Sequence, residues 1–67
     1  MTVDARGLSC PEPVLLLRRA LESKPDFCEI RVDNPAAREN CARYAKYAGY
    51  KMELVEEDGG WTLRLKR

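Results

Sequence analysis

The clearest pattern in the chain is Phe27-Cys28-Glu29-Ile30-Arg31-Val32-Asp33, in which apolar and charged side chains alternate. Successive side chains of a β-strand point to opposite faces of a sheet, so Cys28, Ile30 and Val32 share one face and the charged residues share the other. The pattern therefore predicts a strand over residues 27–33 that has one covered face.

A helix is expected directly after this strand. Asn34 or Asp33 can serve as its N-cap, because both side chains accept hydrogen bonds from the first helical amides. Pro35 suits the first helical position, where its missing amide hydrogen costs nothing, and Gly49 is expected to end the helix. Its predicted apolar face consists of Ala37, Cys41, Tyr44, Ala45 and Ala48.

The segments on either side complete the order of elements. They predict a strand over residues 2–5, a helix over about 11–23, strands over 50–56 and 61–66, and a hairpin turn over 57–60. Right-handed β–α–β connections place both helices on the same side of the sheet. The predicted fold class is therefore α+β: a βαβαββ two-layer sandwich, with a four-stranded mixed sheet and two helices on one face.

The two faces of the predicted sheet differ in character. On the helix side, the last two strands are expected to place Met52, Leu54, Trp61, Leu63 and Leu65. The other face is expected to meet solvent or a partner, and it carries Glu29, Arg31, Thr62, Arg64 and Lys66.

Composition excludes several classes of function. The 67 residues are enough for one domain, and 12 basic against 11 acidic residues argue against binding of nucleic acid by bulk charge. Histidine is absent, which removes the commonest general base and metal ligand. Three cysteines without a recognisable secretory leader indicate free thiols in a reducing cytoplasm, and the longest apolar run, Val14–Leu17, is too short to span a membrane.

Cys10 is the residue on which we expect the function to depend. It precedes Pro11, which favours extended geometry, and it is therefore expected to be the N-cap of the first helix. A helix N-terminus stabilises a nearby surface anion by about 0.3–1 kcal/mol, which would favour the thiolate. Glu12 opposes this effect and Arg6 can restore part of it, so the predicted field suits a sulfur carrier better than a strong nucleophile.

The cysteines also allow interpretations other than sulfur chemistry. Cys10 can also be a small apolar filler at a helix start. Cys28 and Cys41 each lie on a predicted apolar face, so core packing is the expected role for both. No Cys-x-x-Cys spacing is present, which weakens a zinc or thioredoxin-like interpretation.

The pattern Asp4-Ala5-Arg6-Gly7-Leu8-Ser9-Cys10-Pro11-Glu12-Pro13 resembles the signature of the TusA/SirA/YedF family of sulfurtransferase-like proteins. The resemblance extends over nearly the whole chain, including the helix start at residues 33–37. The segments Val32-Asp33-Asn34, Glu39-Asn40 and Gly49-Tyr50 are most similar to the YedF branch, whose members often carry a second domain. Residues 1–67 are thus expected to be one TusA-like domain, either alone or as the N-terminal part of a longer protein.

The resemblance implies that Cys10 receives sulfane sulfur as a persulfide. The implied donor is a protein of the cysteine desulfurase or rhodanese type, and the sulfur passes to an acceptor protein, in tRNA thiolation or in selenium metabolism. Pro11 and Pro13 would be the rigid support of Cys10, Glu12 would tune charge or contact the partner, and Gly7 and Arg6 belong to the same motif. No cofactor or metal is implied, and whether the carrier counts as an enzyme stays open.

Two rival functions remain at this point. The chain can be a non-catalytic interaction or regulatory domain in which the thiol is incidental. RNA binding is the other, resting on fold analogy alone, and the near-neutral charge argues against it.

Overall fold

The computed structural model describes residues 1–67. Its elements are β1 (Thr2–Asp4), α1 (Glu12–Leu21), β2 (Phe27–Val32), α2 (Pro35–Tyr47), β3 (Lys51–Glu57) and β4 (Gly60–Lys66). The strand order in the single sheet is β1-β2-β4-β3, with β1 parallel to β2 and the other neighbours antiparallel. The predicted βαβαββ order and α+β fold class are confirmed, and each predicted boundary lies within two residues of the observed one.

The alternating segment, residues 27–33, contains β2, which is a central strand of the sheet. β2 has β1 on one side and β4 on the other, with Ile30 aligned with both Val3 and Leu63. Its apolar face is fully buried under the helices, because a central strand has neighbours on both sides. The buried core combines this face with side chains of both helices and of β4, including Leu17, Leu21, Ala37, Cys41, Ala45, Leu63 and Leu65.

Three expectations about burial are wrong. Met52 and Leu54 align with core residues of β4 but are 41% and 45% exposed, because β3 is an edge strand with a neighbour on one side only. Ala48 on the predicted apolar face of α2 is exposed, since the helix ends at Tyr47. Thr62 was expected on the open face of the sheet, but it is buried between its cross-strand neighbours and its hydroxyl donates to Glu57.

The start of α2 is capped by a side chain. Asn34 has extended geometry and its Oδ1 accepts a hydrogen bond from the amide of Ala37 at 2.8 Å. Of the two N-cap candidates, Asn34 therefore serves, and the side chain of Asp33 is free for another partner. Such a cap is typically worth about 1 kcal/mol.

The end of α2 depends on a glycine. Gly49 has φ of +89°, and its amide donates to the carbonyl of Lys46 at 3.1 Å. The amide of Tyr50 reaches back to the carbonyl of Ala45 at 2.9 Å, which completes a Schellman motif. The last helical residue is Tyr47, and Gly49 terminates the helix as predicted. Strand β3 begins two residues after Gly49.

No helix of the structure combines the length and the apolar character that crossing a bilayer requires.

Gly60, at the start of β4, packs tightly against the end of β2. A Cβ atom there would collide with the carbonyl oxygen of Val32 and would lie 3.1 Å from Cα of Asp33. We therefore predict that Gly60→Ala lowers the free energy of unfolding in urea by about 1–3 kcal/mol. Asp58→Ala, in the exposed turn beside it, is the control and should change stability by less than about 0.5 kcal/mol. Equal stability of the two variants would contradict the packing described here.

Candidate functional site at Cys10

Cys10 lies in the segment that connects β1 to α1, and it is exposed. The sequence predicts Cys10 as the N-cap of α1, and this is wrong. Pro11 occupies that position with φ −98° and ψ 14°, and the helix begins at Glu12. The amide of Glu12 donates to the carbonyl of Ser9 at 2.9 Å, so an extra turn precedes the helix and moves Cys10 one position outward. The peptide bond between Cys10 and Pro11 is cis.

The two prolines of the motif differ in exposure. Pro11 is exposed, whereas Pro13 is fully buried in the first turn of α1. Proline is tolerated in a first helical turn because its missing amide hydrogen has no intrahelical acceptor there. Pro13 thus fixes the beginning of the helix to the core three residues after Cys10, while Glu12 between the prolines is exposed.

The loop before Cys10 is bound to the junction between β2 and α2. The amide of Gly7, which has φ of +80°, donates to Oδ2 of Asp33 at 2.8 Å. Nδ2 of Asn34 lies 3.5 Å from the carbonyl oxygen of Leu8 and donates to it. Sequence reasoning treated Asp33 and Asn34 only as helix caps and missed this contact. The signal was available, because β1 and β2 are parallel and their carboxyl ends must meet at the same edge of the sheet.

Arg6 is paired with Asp4 at the start of the loop that leads to Cys10. Its Nε and one terminal nitrogen donate to the two carboxylate oxygens of Asp4 at 2.9 and 2.8 Å. These hydrogen bonds hold the pKa of Asp4 well below its ordinary value. Both side chains are exposed, so the pair shapes the start of the loop more than it stabilises the fold.

Asn40 is the side chain that contacts the sulfur. Its Nδ2 lies 3.5 Å from Sγ of Cys10 and donates to it from the middle of α2. Sequence reasoning named Asn40 only within the segment Glu39-Asn40 of the family resemblance and gave it no role at the site. The available signal was its spacing: Asn40 lies three residues after Ala37 and four before Tyr44, so it borders the apolar face of α2 with a polar group.

A groove between α1 and α2 begins at this contact. Its volume is about 450 Å³, and it is lined by Val14, Asn40, Arg43, Tyr44 and Tyr47. Tyr47 is 85% exposed and its ring lies 6.1 Å from that of Tyr44. Tyr50 is buried, and its hydroxyl donates to the carbonyl of Pro25 at 2.7 Å.

The three thiols fall into two classes. Cys28 and Cys41 are fully buried, so the prediction that they belong to the core is confirmed. Burial raises the pKa of the Cys28 thiol and raises that of Cys41 to about 11, because a thiolate loses its hydration in the core. Only Cys10 presents its thiol to solvent. The structure contains no cluster of three or more histidine, cysteine, aspartate or glutamate side chains placed to hold a metal ion.

Comparison with known proteins bears on what this site belongs to. A putative sulfur carrier protein of Archaeoglobus fulgidus is 43% identical over 63 residues, which cover 85% of this chain and 79% of that protein. The sulfur carrier protein TusA of Pseudomonas putida is 27% identical, over 91% of this chain and 79% of its own. The crystal structure of a SirA-like protein from Desulfitobacterium hafniense superposes with a TM-score of 0.87 and 32% identity, covering 97% of this chain and 93% of that one.

The family model of sulfurtransferase TusA matches the sequence over residues 1–67, which is the whole of the chain described above. That the chain is most similar to the YedF branch of the family stays a prediction, since these relatives carry the names TusA, SirA-like and sulfur carrier protein. The chain therefore belongs to the sulfurtransferase TusA family.

Proposed function

We propose that this protein is a sulfur carrier, in which Cys10 accepts sulfane sulfur as a persulfide and passes it to a partner protein. The observation that carries the proposal is the exposure of the Cys10 thiol, at the edge of a helix-lined groove, while the other two thiols are buried. Relatives of this chain are named sulfur carrier proteins, which supports the same role. Residues 1–67 form one TusA-like domain in this proposal, either alone or as the N-terminal part of a longer protein.

Loading is a transfer of one sulfur atom between two cysteines. The thiolate of Cys10 attacks the outer sulfur of a persulfide on the donor protein, and a new S–S bond forms on Cys10. The donor's own S–S bond breaks, and its electron pair stays on the donor cysteine, which leaves as a thiolate. No oxidant is consumed, because the sulfane sulfur keeps its oxidation state. The proton of Cys10 goes to solvent, as the chain contains no histidine to accept it.

Delivery repeats the chemistry in the other direction. A nucleophile of the acceptor attacks the terminal sulfur of the Cys10 persulfide, the S–S bond on Cys10 breaks, and Cys10 leaves as a thiolate. Both steps need a sulfur that a second protein can approach, and a chain of 67 residues offers no deep pocket to exclude water. Donor and acceptor therefore supply most of the enclosure during transfer.

Residues of the motif have separate roles in this proposal. Gly7 lets the loop turn and donates to Asp33, and Pro13 ties the far side of Cys10 to the core. Pro11 lies directly after the reactive residue and completes the rigid support, and Arg6 with Asp4 orders the start of the loop. Glu12 is an exposed carboxylate two residues after Cys10, where it can meet an approaching partner.

The finer partners follow the family resemblance. We propose a cysteine desulfurase or a rhodanese as the donor, and an acceptor in tRNA thiolation or selenium metabolism. The bound sulfur is the cargo, so the transfer as written uses no cofactor or metal.

Incubation with a cysteine desulfurase and cysteine tests the proposal directly. Intact-mass spectrometry should show the addition of one sulfur atom to the wild-type chain and to Cys28→Ala, and none to Cys10→Ser. The reason is that only Cys10 is exposed to the donor's persulfide. An adduct retained in Cys10→Ser, or absent from the wild type, would overturn the proposal and favour an interaction domain with an incidental thiol.

Thiol alkylation should separate the two classes of cysteine. At neutral pH, iodoacetamide should label Cys10 alone, as read by peptide mass spectrometry. Because the folded-state pKa of Cys41 is raised, its contribution to stability is complete below its ordinary value of 9.0 and is lost as the pH rises to about 11. Labelling of Cys41 should therefore increase across that interval, together with a fall in the free energy of unfolding. Labelling of Cys41 at neutral pH as fast as Cys10 would contradict its burial.

A further inference from the structure

Asn40 contacts the sulfur on which the proposed function depends, and that function does not by itself explain it. We propose that Asn40 is a second catalytic residue, whose side-chain amide stabilises the negative charge that develops on Sγ of Cys10 when sulfur is delivered. The inference rests on the proposed function and concerns one of its two steps.

The contact joins a loop to a fixed helix. Nδ2 of Asn40 lies 3.5 Å from Sγ of Cys10, although the two residues are 30 positions apart in the sequence. Asn40 directly precedes the fully buried Cys41 and lies one turn after the buried Ala37, so its backbone cannot move without disturbing the core. The helix therefore fixes the backbone that carries the amide, and the hydrogen bond to Sγ orients the amide before the reaction begins, which is the condition for electrostatic stabilisation of a developing charge.

The loop that carries Cys10 is referenced to the same helix. Gly7 and Leu8 are hydrogen-bonded to Asp33 and Asn34, and Asn34 is the N-cap of α2. The loop that carries the sulfur is therefore bound at the N-cap of α2, and the amide of Asn40 lies six residues further along the same helix. A change in the loop alone would not keep this geometry.

The side-chain hydrogen bond to the sulfur comes from a neutral donor. Arg6 directs its hydrogen bonds to Asp4, and Glu12 places a negative charge two residues after Cys10. A cation on the sulfur would hold a loaded persulfide too firmly, since its terminal sulfur is also anionic. An amide N–H stabilises a sulfur anion by a smaller amount than a cation does, so the terminal sulfur can still be transferred to the acceptor.

The two transfer steps use the hydrogen bond differently. In loading, the thiolate of Cys10 is the attacking group, and a hydrogen bond that stabilises this anion also lowers its nucleophilicity. In delivery, Sγ of Cys10 is the leaving group and gains negative charge as the S–S bond breaks. Asn40 should therefore accelerate delivery more than loading, and it favours the discharged form of the carrier.

Cyanide measures the delivery step without a protein partner. It attacks the terminal sulfur of the persulfide, forms thiocyanate, and releases Cys10 as a thiolate. The wild type, Asn40→Leu and Asn40→Asp are loaded chemically with inorganic polysulfide, the excess is removed, and the rate of thiocyanate release is recorded. Glu39→Ala, an exposed neighbour on α2, is the matched control.

The expected order of rates identifies the role of the amide. Asn40→Leu keeps a similar volume and loses the donor, so discharge should slow by about three- to tenfold. Asn40→Asp keeps the shape and brings a negative charge to the sulfur, so it should be the slowest, whereas Glu39→Ala should match the wild type. A purely structural Asn40 would give the opposite result, with Asn40→Asp close to the wild type and Asn40→Leu the poorest.

The test is independent of the donor protein. If the desulfurase fails to load the wild type, the proposed function is wrong, while chemical loading still tests Asn40. If all variants discharge within a factor of about two, the inference about Asn40 is wrong, and the carrier function is untouched. Urea unfolding of each variant verifies that the compared chains are folded.

Discussion

Hydrogen bonds from two adjacent side chains hold the reactive loop and the second helix together. Asp33 accepts from the amide of Gly7, and Asn34 donates to the carbonyl of Leu8 while its oxygen caps the amide of Ala37. One short segment therefore fixes the start of α2 and the approach of the chain to Cys10. The arrangement is available because β1 and β2 are parallel neighbours, so their carboxyl ends lie side by side.

This constraint explains how so small a protein presents a reactive atom without a pocket. The core uses its apolar side chains, including the thiols of Cys28 and Cys41, to join two helices to the sheet. Cys10 stays outside, between the buried ring of Pro13 on one side and the tethered loop on the other. A thiol held in this way is exposed and still fixed in direction, which suits a group that two different proteins must reach in turn.

Much of the architecture followed from periodicity. The alternation of residues 27–33 identified a strand with one covered face, and the apolar side chains of β2 are buried on that face. The same reasoning was wrong for Met52, Leu54 and Thr62, since alternation assigns a residue to a face but not to the edge or the middle of a sheet.

The site was less predictable than the fold. The motif pointed to Cys10, but its position relative to the helix start was one residue off, because a turn from Ser9 to Glu12 precedes α1. The contact of Asn40 with the sulfur was missed, because it joins residues 30 positions apart and depends on how two helices pack.

Sulfur should pass through Cys10 and not merely attach to it. A pulse of cysteine labelled with a sulfur isotope, given to a desulfurase, this protein and an acceptor, followed by a chase with unlabelled cysteine, measures that passage. We expect the label to appear on Cys10 during the pulse. In the chase, the label should leave Cys10 at the rate at which the acceptor gains it. Label that stays on the chain, or that reaches the acceptor equally fast with Cys10→Ser, would contradict this expectation.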